Sequence, residues 1–370
     1  MNILIINAHV EDKLGGSEIQ CDLIARKLTE FGHEVLYLAV NGRLSPGYNT
    51  SYHVAPVSLK KPEELEQAIK KSSPDVIYWR YNKKAFISSM KAINKFQVPV
   101  IFSVSHKYDI QKYRTDLLPP EVSAKETVKN WRDFCQNRRQ FNGFRYVDAV
   151  SNQCRDFMGK TGVKREIYFP NSMVYDSVPF QWNKKYCVWA SSIKKRKHPE
   201  KLIALAEELQ NKDVDFLMVG EIQDSAYSYV KQPESLPPNL HYLGVQSYSE
   251  VNGLIDGAQF LIHTCEPEGF PNNFIQAWSY GKPVVSLYYD PDGLIEKKQL
   301  GYVSITPDQF KSNVQRLLDE PELCRVMGMN ARALAEDLFD GEKNVKKLES
   351  LMVEITENKA SKGNISSTAE

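Results

Sequence analysis

Short, nearly continuous apolar runs alternate with amphipathic stretches along this chain, and the series runs twice. The first run, "NILIINA" (2–8), is too short for a helix and apolar at consecutive positions, as a strand buried on both faces of a parallel sheet must be. The loop "HVEDKLGG" follows it, and then "SEIQCDLIARKLTEFG". There Ser17 and Gln20 predict a capping box, Ile19, Leu23, Ile24 and Leu28 form an apolar stripe, and Gly32 stops the helix. "HEVLYLAV" completes a βαβ unit, and "DVIYWR", "VPVIFSVS" and "DAVSN" extend the series.

The stretch "PNSMVYDSVPFQWNKK" (170–185) holds no steady period and is rich in Pro, Asn and Ser, which predicts a connection between domains. A second series then opens with the strand "YCVWAS", the helix "HPEKLIALAEELQ" and the strand "VDFLMVG". It continues through "LHYLGV", the helix "SEVNGLIDG", the strand "QFLIHT", a helix within 271–280 and the strand "PVVSLYY", and is helical from Pro307 to about Asn358. The expected fold class is α/β, two Rossmann-like doubly wound domains facing a cleft. With 370 residues, 42% of them hydrophobic, the chain can fill two such cores. The expected domains are 1–178 and 179–344, with 359–370 a disordered polar tail. Ligands of such sheets sit at the carboxyl ends of the strands.

Net charge is only +1, but it is unevenly spread. Residues 1–180 carry 26 Lys and Arg against 19 Asp and Glu, and residues 181–370 carry 21 against 27. The first half is therefore expected to meet something anionic, such as a lipid-phosphate acceptor or an anionic membrane surface; no nucleic-acid motif is present. Within 107–145, Val128, Trp131 and Phe134 interleave with basic residues and are read as core in preference to a membrane anchor. The six cysteines are scattered, without a Cys-x-x-Cys pair, which fits reduced thiols and neither a disulfide framework nor a zinc site. The start "MNILIINAHVEDK" lacks a basic leader pattern and no window resembles a membrane span, so the expectation is a cytoplasmic protein, at most peripheral at the inner face of the membrane.

Several residues stand where a ligand is expected. Gly15 and Gly16 after the first strand allow close backbone approach, but there is no G-x-G-x-x-G and no acid at the end of the second strand, so a dinucleotide site is not indicated. Lys194, Lys195, Arg196 and Lys197 follow the first strand of the second domain and could neutralise a diphosphate. His106 follows a buried strand at the same end of the first domain. Of two Asp-x-Asp pairs, Asp213 and Asp215 precede a strand, whereas Asp290 and Asp292 follow one; neither is taken as a metal site.

The most informative stretch is "CEPEGFPNNFIQAWSYGKPVVS" (265–286). Pro271 suits the first helical position, so the amides of Asn272, Asn273 and Phe274 would form an anion cradle, entered through the turn at Gly269 and Phe270. Glu268 lies just outside that cradle. A carboxylate there would be repelled by phosphates and better placed to bind hydroxyls one group further out, as on a sugar carried by a diphosphate.

Taken with "GGSE", "YVDAVSNQCRDFM", "FPNSM" and "LHYLGV", these residues give the chain a resemblance, over nearly its whole length, to the GT-B glycosyltransferases of family 4, the retaining group 1 type. The resemblance implies transfer of a sugar from a nucleotide-diphosphate donor, UDP before GDP, to a glycan or lipid-linked acceptor in surface polysaccharide synthesis, with no cofactor and no metal. It implies that Glu268 holds donor-sugar hydroxyls, that His106 stands by the transferred sugar, and that Lys197 and Gly16 approach the diphosphate. Val245 would border the base, and a C-terminal helix, from about 345 to 358, would cross back to the first domain. The family's Arg before the Lys is Ser192 here, leaving Lys194 or Arg196 to compensate. Its second Glu is Gln276, which can still hold a ribose diol through one carbonyl and one NH₂. The alternatives are a catalytically silent nucleotide-sugar-binding subunit, and a GT-B epimerase or phosphorylase.

Overall fold

The computed structural model describes the chain except Leu14, 44–46, 81–85, 111–127, 129–130, 132–134, 136–140, 266–268 and 368–370, and the side chains from 360 onward. Two compact units emerge, Met1–Asn171 with Gly341–Glu370, and Ser172–Asp340.

The first unit is built on a seven-stranded parallel sheet in the order β3-β2-β1-β4-β5-β6-β7. Its strands are β1 Asn2–Asn7, β2 Glu34–Val40, β3 His53–Val57, β4 Val76–Trp79, β5 Val100–Val104, β6 Ala149–Asn152 and β7 Arg165–Tyr168. Apart from exposed Asn2 at the start of β1, the central strands β1, β4 and β5 are buried, which is why their sequences read as nearly unbroken apolar runs. The helix Gly16–Glu30 packs on one face through Cys21, Ile24, Ala25 and Leu28. Its cap differs from expectation. The helix begins at Gly16 with Gly15 as N-cap and no side-chain cap, because Ser17 Oγ instead accepts from Asn7 Nδ2 (3.2 Å).

The helix Gly341–Ser367 returns to this unit. Val345, Leu348, Leu351, Met352 and Ile355 join the core formed by Ile3, Ile5, Ile24 and Leu28. Two polar contacts fasten it at the surface, His33 Nε2 to Glu349 Oε1 at 2.7 Å and Arg165 Nε to Glu354 Oε1 at 2.9 Å. Its backbone stays helical over most of the segment read as a tail, where no proline interrupts it.

The second unit carries a six-stranded parallel sheet in the order β10-β9-β8-β11-β12-β13. Here β8 is Tyr186–Ala190, β9 Asp215–Val219, β10 Leu240–Tyr242, β11 Leu261–His263, β12 Val284–Leu287 and β13 Gly301–Ser304. Central β8 and β11 are neighbours, so the loops that follow them share one stretch of the sheet's carboxyl edge. Among the described residues no helix is long and apolar enough to cross a membrane.

Candidate functional site

The residues expected to hold a diphosphate fall on that shared edge of β8 and β11. After β8 the chain makes one 3-10 turn at Lys195–Lys197, and His198 takes a left-handed conformation (φ 47°) that starts the helix Pro199–Glu208. A buried relay fixes the turn. Trp189 Nε1 donates to Thr264 Oγ1 (2.8 Å), and Thr264 donates in turn to the Lys197 carbonyl (2.7 Å). Lys197 is thereby tied to the end of β11. Lys194 Nζ donates to Gln223 Oε1 (2.9 Å), while Lys195 and Arg196 are exposed. Gly220 must be glycine, since at φ +141° a Cβ would lie 1.8 Å from the Ser191 carbonyl oxygen. That close approach packs the end of β9 against the Ser191–Ser192 segment.

From the other strand comes the helix Asn272–Ser279. Pro271 is its N-cap (φ −69°, ψ 125°) and not its first helical residue, so the helix begins one residue later than expected, because the extended ψ of Pro271 lies outside the helix. The Phe274 amide turns to the Pro271 carbonyl at 3.2 Å, so the head of the helix is formed by Asn272 and Asn273, two of the three amides expected there. Asn273 Nδ2 donates to the Ala190 carbonyl at the end of β8 (3.0 Å). The helix head is thus pinned to the end of β8 by its own Asn273, and the basic loop to the end of β11 by Thr264. Glu268 lies outside the described residues.

The remaining candidates divide. Phe270 and Phe274 are buried, Phe270 against Trp278 and Phe339, Phe274 against His263 and Trp278, so their side chains anchor the helix in the core. Gly269 is buried, and its carbonyl accepts from the Tyr289 hydroxyl (2.7 Å). Val245 is 64% exposed on the loop after β10, beside Gly244, whose carbonyl accepts from the Gly220 amide (2.9 Å). Gln276 is buried, and its Nε2 donates to Asn252 Oδ1 (2.7 Å). In the first unit, Gly16 is exposed at the start of its helix. His106 Nδ1 accepts from the Tyr108 amide (3.1 Å), which places the proton of the neutral ring on Nε2. Asp109 braces that turn through the amides of Ser105 and His106 (3.0 and 2.9 Å).

One carboxylate of each Asp-x-Asp pair is engaged in a local structural contact. Asp290 caps the helix Leu294–Lys298 by accepting from the amides of Ile295 (2.9 Å) and Glu296 (3.2 Å), and burial pushes its carboxyl above the usual range. Asp215 accepts from Trp182 Nε1 (2.8 Å) at the amino end of β9. Among the described residues no cluster of His, Cys, Asp or Glu could hold a metal ion. Val128 and Trp131, read as core, are instead 69% and 66% exposed; Phe134 lies outside the described residues.

Sequence reasoning passed over Thr264, Asn252 and His263. Thr264 and His263 were legible as polar residues closing an apolar strand, "FLIHT", at its ligand end. His263 is fully buried, with Nδ1 3.1 Å from Ser286 Oγ, and burial, with the Lys197 charge second, pushes its pKa well below the ordinary histidine value.

Residues 176–334 match the family model of glycosyl transferases group 1. No curated protein matches the chain in sequence. Among solved structures the chain is similar to sucrose-phosphate synthase from Thermosynechococcus elongatus, at 13% identity and TM-score 0.76, over 96% of this chain and 99% of that one. It is similar to HepE of Anabaena in complex with UDP, at 17% identity and TM-score 0.72, over 96% and 100%. A third likeness is to WaaG, a glycosyltransferase involved in lipopolysaccharide biosynthesis, at 15% identity and TM-score 0.66, over 93% and 98%. At such identities the likeness is one of fold, and the fold is GT-B.

Proposed function

We propose that this chain is a retaining, metal-independent glycosyltransferase that moves a sugar from a nucleotide-diphosphate donor, UDP-linked before GDP-linked, to a glycan or lipid-linked acceptor of a surface polysaccharide. The observation that carries the reading is the convergence of the Lys194–Lys197 loop and the Asn272–Asn273 helix head on the ends of β8 and β11. Cations and oriented amides fixed in one place form a diphosphate cradle whose dipoles are set before the ligand arrives. The group 1 match over that unit and the UDP bound to HepE support the same reading.

In the proposed reaction the bond from the anomeric carbon to the β-phosphate oxygen breaks, and the acceptor oxygen bonds to that carbon on the same face. The acceptor proton passes to the departing phosphate. Lys197, with Lys194 or Arg196 and the helix amides, stabilises charge on the leaving diphosphate, which is where a metal would otherwise act. Glu268 and His106 Nε2–H hold hydroxyls of the sugar, Gly16 approaches the diphosphate, Val245 borders the base and Gln276 meets the ribose. Positioning supplies the rest.

A catalytically silent nucleotide-sugar-binding subunit is the second reading, favoured by Ser192 and by the engagement of Gln276 with Asn252. Donor hydrolysis across a panel of UDP- and GDP-sugars separates the two. Release of nucleotide diphosphate from one donor, lost in Lys197→Ala, is the expected result. Binding of a donor without any turnover overturns the enzyme reading in favour of the subunit.

A further inference from the structure

The first unit holds a buried positive charge that the proposed reaction does not use. Arg80 follows β4 at the carboxyl edge and is 4% exposed. Its Nη2 donates to Asn171 Oδ1 at 2.7 Å, while Nε and Nη1 are sealed from solvent and meet no acceptor. No carboxylate pairs with it among the described residues. Glu18, buried on the helix Gly16–Glu30, faces Lys13 at 3.7 Å instead. Among the described residues its hydrogen-bond partners are neutral amides. Gln153, after β6, sits best with its amide nitrogen on the Ser105 carbonyl (2.9 Å) and its oxygen toward Asn171 Nδ2 (3.1 Å) and Arg80 Nη2. Ser103 Oγ, on the neighbouring β5, is buried without a partner as well.

Amide dipoles soften a buried guanidinium but do not neutralise it, and charges taken out of water are ordinarily paired. We infer that Arg80, Gln153 and Asn171 form a phosphoryl subsite of the first unit, which takes a phosphate group carried by the acceptor. The inference rests on the glycosyltransferase reading for the word acceptor, and on the residues alone for the anion. Three adjacent strands, β4, β5 and β6, bring Arg80, the Ser105 carbonyl and Gln153 to the edge of the sheet where ligands of doubly wound folds bind. Asn171 joins them just beyond β7. Gln153 and Asn171 present oxygens to Arg80, and each amide can turn to offer NH₂ to an arriving oxyanion. Opening that lattice exposes Nε and Nη1 at the same time. The excess of basic residues in 1–180 favours the approach of such a group. The donor diphosphate already has its cradle on the second unit, so the anion served here is a separate one.

The test is calorimetric titration of inorganic phosphate into the full chain with the donor site saturated by UDP. One phosphate per chain is expected to bind to the wild type, with at least roughly tenfold weaker binding in Arg80→Lys and none in Arg80→Met. Methionine fills a similar volume without a charge, so UDP affinity and circular dichroism should be unchanged in that variant. Farnesyl phosphate should compete with inorganic phosphate if the group rides on a lipid; binding of phosphate without such competition assigns the subsite to a water-soluble phosphorylated acceptor. No phosphate bound by the wild type, or equal binding in Arg80→Met, overturns the inference, whether or not the variants fold. Failure of the donor reading shows separately, as absence of UDP binding to the wild type. The titration is then run without UDP in Lys197→Ala, to silence the second-unit cradle.

Discussion

Gln276 Nε2 lies 2.7 Å from Asn252 Oδ1, and Asn252 turns its own amide on the Asp176 carbonyl at 2.7 Å and the Val174 carbonyl at 3.3 Å. The helix behind the cradle is thus joined, through the helix Tyr248–Gly257, to the segment that leads in from the first unit. The same segment is held by Gly253, where a Cβ would stand 1.8 Å from the Val178 carbonyl oxygen.

Gln276→Ala leaves a buried acceptor on Asn252 unmet, which is expected to cost about 1–3 kcal/mol of stability, read as a lower urea midpoint. If the side chain also meets the ribose, donor KM rises while kcat holds. By sequence alone glutamate would substitute freely here, since both side chains can hold a diol. The Asn252 contact removes that freedom, because a carboxylate would set oxygen against oxygen and Asn252 cannot turn without losing its two backbone carbonyls. Gln276→Glu should therefore be less stable than Gln276→Ala. Unchanged midpoints in both variants would show that the relay contributes nothing.

Thr264 and Lys197 separate positioning from contact. Thr264→Val keeps the volume but strands the buried Trp189 Nε1 and the partly buried Lys197 carbonyl, both partners of the hydroxyl. It should lower stability by about 1–3 kcal/mol and weaken UDP binding through a loosened loop. Lys197→Ala removes a charge from a half-buried side chain. It should leave the urea midpoint within about 0.5 kcal/mol of wild type and weaken UDP binding far more. Calorimetry of UDP binding beside denaturation of both variants checks the split, and equal stability loss in the two would contradict it.

The strands that escaped sequence reading share one property. β3, β7 and β13 are all sheet edges, half-buried, with patterns such as "HVAPV" and "REIY" that lack a continuous apolar run. Pro56 in β3 is tolerated because an edge strand need not donate on both sides. Central strands were legible because burial on both faces dictates composition. The basic loop and the helix head were legible for a related reason, since their chemistry is local. The Trp189–Thr264–Lys197 and Gln276–Asn252–Asp176 relays were not. Each link joins residues far apart in the chain through a single hydrogen bond, and no period or spacing records such a pair.

Glu268→Ala should abolish most transfer and leave the fold intact. If the carboxylate holds donor hydroxyls, its loss removes charge-assisted hydrogen bonds of about 1.5–3 kcal/mol in the transition state, roughly a tenfold to hundredfold fall in kcat/KM. Steady-state kinetics with unaltered circular dichroism is the check. Near wild-type turnover would remove Glu268 from the site.

Transfer should survive EDTA if, as in the proposed reaction, fixed cations and amides serve the leaving group. Asp290 offers an internal control. As a helix cap its replacement by alanine should cost about 0.5–2 kcal/mol of stability with little change in turnover. Activity abolished by EDTA and restored by manganese, together with an inactive Asp290→Ala, would assign that carboxylate to a metal instead.

His263 makes stability depend on pH in a stated direction. The ring is fully buried on β11, between Phe274 and Tyr289, with Nε2 unpartnered and Lys197 near enough to oppose a second positive charge. In the unfolded chain a histidine titrates near 6.5, whereas in the fold this one titrates well below that. Between the two values the unfolded chain binds a proton that the folded chain refuses. Stability from this group is therefore complete above about pH 6.5 and is lost as pH falls toward the folded value, with a slope approaching 1.4 kcal/mol per pH unit. His9, also depressed by burial, adds to the same trend. In His263→Gln the amide can keep the Ser286 contact without titrating, so the loss between about pH 7.5 and about pH 5 should be visibly shallower, whatever the variant's stability at neutral pH. Urea midpoints measured at intervals across that range give the slopes, and parallel curves for wild type and variant would mean that His263 takes up its proton in the fold as readily as in the unfolded chain.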